Sequence, residues 1–391
     1  MKLTDFHTTE ERIEALEKKV KPFIDRAQKN DEDGTFPFEN FKDLKDIGYP
    51  ALTVPEEYGG LGISLFELLR MQEIIAKADG STALSIGWHM GITKFLGEHD
   101  IWKKEKYQAF AKDVVATGAL MNNAASEPAT GSPTRGGKPE TVAKKVSDGW
   151  VINGRKTFTT LAPILDYFVV SASIDDSDQV ANFLIKRTRD GLEVDETWDS
   201  ISMRGTGSHD LVLNDVKVGE DDLVQSMTPG NRPATGWLLH IPACYLGIAR
   251  AAQEYAIDFA TSYSPNSIKG TIADLPNVKE KIGQMELRVM QSQHFLYSVA
   301  RKWDTSSEEV RQTMKPELGA VKLSVVNQAV EIVDLAMRIA GARSLSKQNP
   351  LQRYYRDVRA GLHNPPMDDM TVMQLATTSI ERQRKVESKS S

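Results

Sequence analysis

Residues 315–341 read KPELGAVKLSVVNQAVEIVDLAMRIAG. Leu318, Val321, Val325, Ala329, Ile332, Ala336 and Ile339 recur at spacings of three and four, which predicts one long amphipathic helix over 315–340 that stops at Gly341. Similar spacing predicts helices over 237–262, 278–303 and 371–388, and four such helices point to a bundle. Working back toward the N-terminus, the texture changes. Between about 119 and 224 the chain carries short β-branched runs at 141–146, 150–153, 168–174, 181–186 and 211–218, with Asp148-Gly149 as a hairpin signal between the first two. Strands in succession without helices between them predict antiparallel pairing, as a sheet or barrel. Before that, Ile13, Leu16, Val20 and Phe23, then Phe38, Phe41, Leu44 and Ile47, are again helically spaced up to about residue 112, broken by the glycine-rich turn at 54–62. The expected fold is α+β and multidomain: a helical domain over 1–118, a middle antiparallel β domain over 119–228 and a C-terminal four-helix bundle over 229–391.

Composition narrows the function. The 391 residues exceed one hydrophobic core, and 40% hydrophobic with 26% charged residues fits an ordinary globular protein. With 48 Lys and Arg against 54 Asp and Glu, the net charge of −6 lacks the positive field that nucleic acid selects. No apolar run is long enough for a membrane span. The single Cys244 can form neither an intrachain disulfide nor a thiolate metal site, and the opening residues lack the apolar core of a signal peptide, so a cytoplasmic protein without a metal is expected.

Familiar catalytic patterns are missing. There is no G-x-G-x-x-G, no G-x-S-x-G, and no pair of histidines four apart; Gly131 to Pro139 approaches a P-loop but places its lysine one position late. Either the chemistry of this enzyme-sized chain comes from a bound organic cofactor, or the chain is not an enzyme.

Several segments in collinear order resemble the acyl-CoA dehydrogenase superfamily of flavoproteins. Val54-Pro55-Glu56-Glu57-Tyr58-Gly59-Gly60-Leu61-Gly62 is similar to its P-E-x-Y-G-G-x-G turn, and Ala125-Ser126-Glu127-Pro128-Ala129-Thr130-Gly131-Ser132 to its [TS]-E-P-x-x-G-S loop. Asn153-Gly154-Arg155-Lys156-Thr157-Phe158-Thr159-Thr160, Met203-Arg204-Gly205-Thr206-Gly207-Ser208-His209-Asp210 and Tyr355-Arg356-Asp357-Val358-Arg359 match three further motifs in sequence. The resemblance implies FAD, with FMN an alternative. Ala125, Ser126 and Gly131 would lie at the ring edge, Ser132 at the pyrophosphate, and Phe158 and Thr160 on a ring face. The turn around Arg338, Gly341 and Arg343 would grip the adenine half from a neighbouring subunit, implying a homotetramer or at least a dimer. Taken singly these residues have plainer roles: a serine can cap a loop and a phenylalanine can fill a core.

The resemblance departs where chemistry is done. Dehydrogenation of an acyl-CoA thioester needs a carboxylate base, and the two positions where the family places its glutamate hold Pro365 and Trp237. An arginine expected for the thioester falls at Leu238. Asp368 and Asp369 are the nearest carboxylates, able to be displaced bases or to cap the last helix. The loop Gly361-Leu362-His363-Asn364-Pro365 resembles that of the superfamily's flavin monooxygenases, which would make His363 catalytic, with His89 assisting or simply buried. The function expected from the resemblance is α,β-dehydrogenation of an acyl-CoA thioester with hydride transfer to FAD, passing electrons to an electron-transfer flavoprotein; the alternative is oxygenation with reduced flavin from a partner reductase, and the lesser one flavin binding without catalysis.

Overall fold

The computed structural model describes residues 1–130, 137–227 and 233–390. It divides into two compact units, one of Met1–Ser64, Leu84–Ser200 and the segment from Arg204 to the end of the sheet, the other of Leu65–Ala83, Ile201–Met203 and the chain from Pro233 onward.

The first unit opens with α1 (Thr9–Val20), α2 (Phe23–Asp33) and α3 (Phe38–Asp46). Thr8 starts α1 with a capping box: its hydroxyl accepts from Glu11 N–H, and the Glu11 carboxylate accepts from Thr8 N–H. The helix after the glycine-rich turn, α4 (Leu65–Ala78), has its first N–H groups held by the Asp304 carboxylate within the second unit. It is followed by α5 (Gly80–Glu98) and α6 (Lys104–Thr117).

Among the described residues eight strands form the sheet of the first unit: β1 (Met121–Ala124), β2 (Val142–Val146), β3 (Gly149–Thr159), β4 (Tyr167–Ile174), β5 (Val180–Lys186), β6 (Leu192–Asp195), β7 (His209–Val218) and β8 (Leu223–Met227), in the order β6-β7-β3-β2-β4-β5-β8 with β1 on β4. The hairpin at Asp148-Gly149 forms as predicted. Gly149 has φ 141°, and a Cβ there would stand 2.0 Å from the Val218 carbonyl oxygen. The all-antiparallel expectation needs correction, because β4 pairs in parallel with both β1 and β2. The cause is topological: the chain leaves β3 and crosses beyond β2, so a β4 that opposes β3 must run alongside β2. The domain is a sheet more than a closed barrel, since among the described residues β6 pairs only with β7 and β8 only with β5.

In the second unit α7 (His240–Ser262), α8 (Pro276–Thr305) and α10 (Lys315–Ala340) are the expected bundle helices, separated by the short α9 (Glu308–Thr313). Helix α4, read from the sequence with the first domain, packs against α7 and α8, while α11 (Pro350–Ala360) and α12 (Asp368–Ser390) pack on α10. Burial explains the choice: α4 hides Leu65, Leu68, Leu69, Met71, Ile75 and Ala76, whereas Val372 and Met373 of α12 stay exposed. The buried Glu73 of α4 accepts hydrogen bonds from Arg250 of α7 (2.6 Å) and from Gln293 (3.1 Å) and Tyr297 of α8. No helix among the described residues is long and apolar enough to cross a membrane.

The α4–α7 contact depends on Gly247, where a Cβ would lie 2.4 Å from the Glu73 carbonyl oxygen and 2.6 Å from the Ala76 Cβ. Gly247→Ala should therefore destabilise the bundle by about 1–3 kcal/mol, read as a lower urea midpoint at unchanged slope.

Candidate functional site

Within the first unit the site is built around one buried ion pair. Lys156 of β3 places its ammonium 2.6 Å from the Glu127 carboxylate, both side chains being sealed from solvent. The same carboxylate accepts from the main-chain N–H groups of Glu140 (2.6 Å) and Thr141 (3.0 Å). Burial pushes the Glu127 carboxyl up, but these hydrogen bonds outweigh it and hold it below the ordinary range, while burial lowers the Lys156 ammonium. The pair ties the loop after β1 to β3, and the Thr157 N–H adds a bond of 2.9 Å to the Ser126 carbonyl. Ser126, half-buried like Ala125, is thereby paired with Thr157, the residue before Phe158. Gly131 and Ser132 lie outside the described residues.

Phe158 has φ 56°, a left-handed conformation that a bulky residue adopts only under constraint, and its ring is 66% exposed, touching Trp198 edge to face at 6.0 Å. Beyond it, Leu161 also has positive φ. Thr160 Oγ1 lies 2.9 Å from Ser208 Oγ, and Ser208 Oγ lies 2.8 Å from Thr206 Oγ1.

His89 of α5 is fully buried and belongs to this unit. Its Nδ1 accepts from the Met121 N–H at 3.1 Å, leaving Nε2 to donate to the Pro50 carbonyl at 3.1 Å. Burial is the main cause that lowers its pKa to about 4. A neutral imidazole with both nitrogens engaged joins the start of β1 to the segment at Pro50.

The second unit holds the other candidates. Asp357 of α11 accepts from the Met203 N–H at 2.7 Å, and Arg356 donates to the Ile201 carbonyl at 2.6 Å, so two motifs separated by about 150 positions meet here. The loop from Gly361 to Met367 presents an exposed His363, and the buried Tyr245 hydroxyl donates to Asn364 Oδ1 at 2.6 Å. Asp368, in the first turn of α12, is engaged by the buried Lys322 ammonium (3.1 Å) and by Asn327 (2.9 Å) of α10. Asp369 is exposed. Pro365 lies in the loop, and Trp237 stacks on His240 at 5.8 Å. At the end of α10, Arg338 is exposed and paired with Asp334, Gly341 has φ 63°, and Arg343 lies 4.2 Å over the Tyr263 ring. Among the described residues no three His, Cys, Asp or Glu side chains cluster as a metal would need.

Glu127, Lys156, Ser208, Thr206 and Tyr245 were not marked by sequence reasoning. The first four lie inside the quoted motifs, and a charged residue at a position that should be buried was the available signal for the ion pair. Tyr245 carried none.

The family models for the acyl-CoA dehydrogenase N-terminal, middle and C-terminal domains match residues 9–99, 122–216 and 239–364. YdbM of Bacillus subtilis (strain 168), provisionally named an acyl-CoA dehydrogenase, is 50% identical over 360 residues, covering 92% of this chain and 94% of its own. L-evernosamine nitrososynthase of a Micromonospora species is 30% identical, covering 86% of this chain and 81% of its own. The solved structure of KijD3 in complex with FMN and a dTDP-linked amino-keto sugar superimposes with a TM-score of 0.83 at 25% identity, covering 94% of this chain and 93% of that one. The chain belongs to the acyl-CoA dehydrogenase family.

Two outcomes test this geometry. Lys156→Met, which strands the Glu127 carboxylate, should cost about 3–5 kcal/mol in denaturant unfolding. For His89, the unfolded chain takes up a proton near pH 6.5 that the folded chain refuses until about 4. Its contribution is therefore full above pH 6.5 and lost as pH falls toward 4, by about 3 kcal/mol. Urea midpoints of His89→Asn should fall less steeply across that window than those of the parent.

Proposed function

We propose that this chain is a flavin-dependent monooxygenase of the acyl-CoA dehydrogenase family, binding FMN or FAD and using reduced flavin from a partner reductase. The observation that carries this reading is the loop at 361–367, where abstraction of an α-proton would need a carboxylate. The loop offers His363 instead, and the adjacent Asp368 is already engaged by Lys322 and Asn327.

The residues present fit a flavin. Phe158 bears backbone strain without burying its ring, the pattern of a side chain held out for a ligand. Its ring would stack on the isoalloxazine, with Ala125 and Ser126 at the ring edge and the Thr160 hydroxyl as a polar contact. Bound in reduced form, the flavin supplies two electrons to dioxygen, one oxygen atom passing to the substrate and the other leaving as water. His363 has ring nitrogens able to give and take a proton, and we assign it that role. His89, held neutral between two main-chain groups, is assigned to positioning the start of β1. Arg338, Gly341 and Arg343, at the surface, are proposed to reach a neighbouring subunit's flavin in a dimer or tetramer.

A second reading, α,β-dehydrogenation of an acyl-CoA with electrons leaving to an electron-transfer flavoprotein, is favoured by the 50% identity to YdbM. It would require Asp369, or Asp368 released from its partners, as base.

Anaerobic titration of the flavin-loaded protein with a panel of acyl-CoA thioesters separates the two. The monooxygenase reading predicts no bleaching of the visible absorbance, and bleaching by any thioester would overturn it. With reductase and oxygen, His363→Ala should lower oxygenated product at least about 100-fold. Phe158→Ala should weaken flavin binding about tenfold while leaving the urea midpoint unchanged, because its ring is mostly in solvent.

A further inference from the structure

We infer that Ser208 and Thr206 are positioning residues for the flavin, acting through the hydroxyl of Thr160; this rests on the flavin reading above. Thr160 follows the strained end of β3, its N–H bonded to the Phe158 carbonyl and its own carbonyl accepting from Asn122 Nδ2, each at 2.9 Å. Its hydroxyl is half-buried, while Ser208 and Thr206 behind it are 6% and 1% exposed.

Each hydroxyl in this row carries a single hydrogen, so the three are not independent. If Thr206 donates to Ser208 and Ser208 donates to Thr160, the Thr160 hydrogen is left to point outward as a donor. In the opposite sense Thr160 donates inward and turns a lone pair outward. The direction set at the buried end thus decides which hydrogen-bonding face Thr160 presents. An isoalloxazine ring has more acceptors when oxidised and more N–H donors when reduced. A row of hydroxyls that can reverse answers both states, and one locked by deletion favours one of them.

The backbone around the row is held independently. Leu161 N–H bonds to the Thr206 carbonyl at 3.1 Å, Ala162 N–H to the Gly207 carbonyl at 3.2 Å, and Thr159 pairs with His209 between β3 and β7. Removing a hydroxyl therefore leaves the frame that carries Thr160 in place.

The test uses the full chain with FMN and FAD as probes. Dissociation constants come from fluorescence quenching, and the midpoint potential of the bound flavin is measured alongside. Thr206→Val keeps the shape and deletes the hydroxyl, Ser208→Ala deletes the next, and Thr206→Ser keeps a hydroxyl. The first two should bind oxidised flavin about three- to tenfold more weakly, the effect of one neutral hydrogen bond, and shift the potential. Thr206→Ser should behave as the parent does. Parent affinity and potential in both deletion variants would overturn the inference, as would failure of Thr206→Ser to restore them. If the parent chain binds neither flavin, the flavin reading itself falls, a result separate from any difference among the variants.

Discussion

Two opposite charges buried out of water, Glu127 and Lys156, hold the sheet unit in the form its site requires. An ion pair is costly to desolvate, and the cost is offset only when the geometry is good and the remaining lone pairs are filled. Here they are, by Lys156 and by the N–H groups of Glu140 and Thr141. One carboxylate thus gathers the loop after β1, the entrance to β2 and the middle of β3. With the Thr157 N–H bond to the Ser126 carbonyl, it fixes the loop after β1 against the end of β3.

That frame carries strain at its end. Phe158 and Leu161 both sit at positive φ, and main-chain bonds to Thr206 and Gly207 keep the strand end from relaxing. The consequence is an exposed aromatic side chain two residues from a row of hydroxyls, in a sheet that buries Phe168 and Phe183. The strain at Phe158 is therefore held by the surrounding main-chain bonds and not relieved by burial of its ring.

In the bundle the same logic runs on carboxylates. Asp368 has been taken into an arrangement with Lys322 and Asn327 that fixes the first turn of α12 on α10, and Tyr245 fixes the other part of the loop through Asn364. The loop is held at both ends, and His363 between them is exposed. The scaffold is shared by the whole acyl-CoA dehydrogenase family.

The sequence by itself determined the helical, sheet, helical order, the extent of α10 and the hairpin at Asp148-Gly149, because these depend on periodicity and turn chemistry within a few residues. It also determined the family, since the motifs are contiguous, and it marked the missing glutamate at Pro365 and Trp237. Tertiary structure alone decided that α4 joins the bundle, through Asp304 bonded 239 positions away, and that β4 runs parallel to β1 and β2. It also decided that Asp368 is engaged 46 positions away and that Glu127 meets Lys156 across 29. Those outcomes depend on which buried groups find partners across the chain, and a local pattern carries no information about a partner that distant.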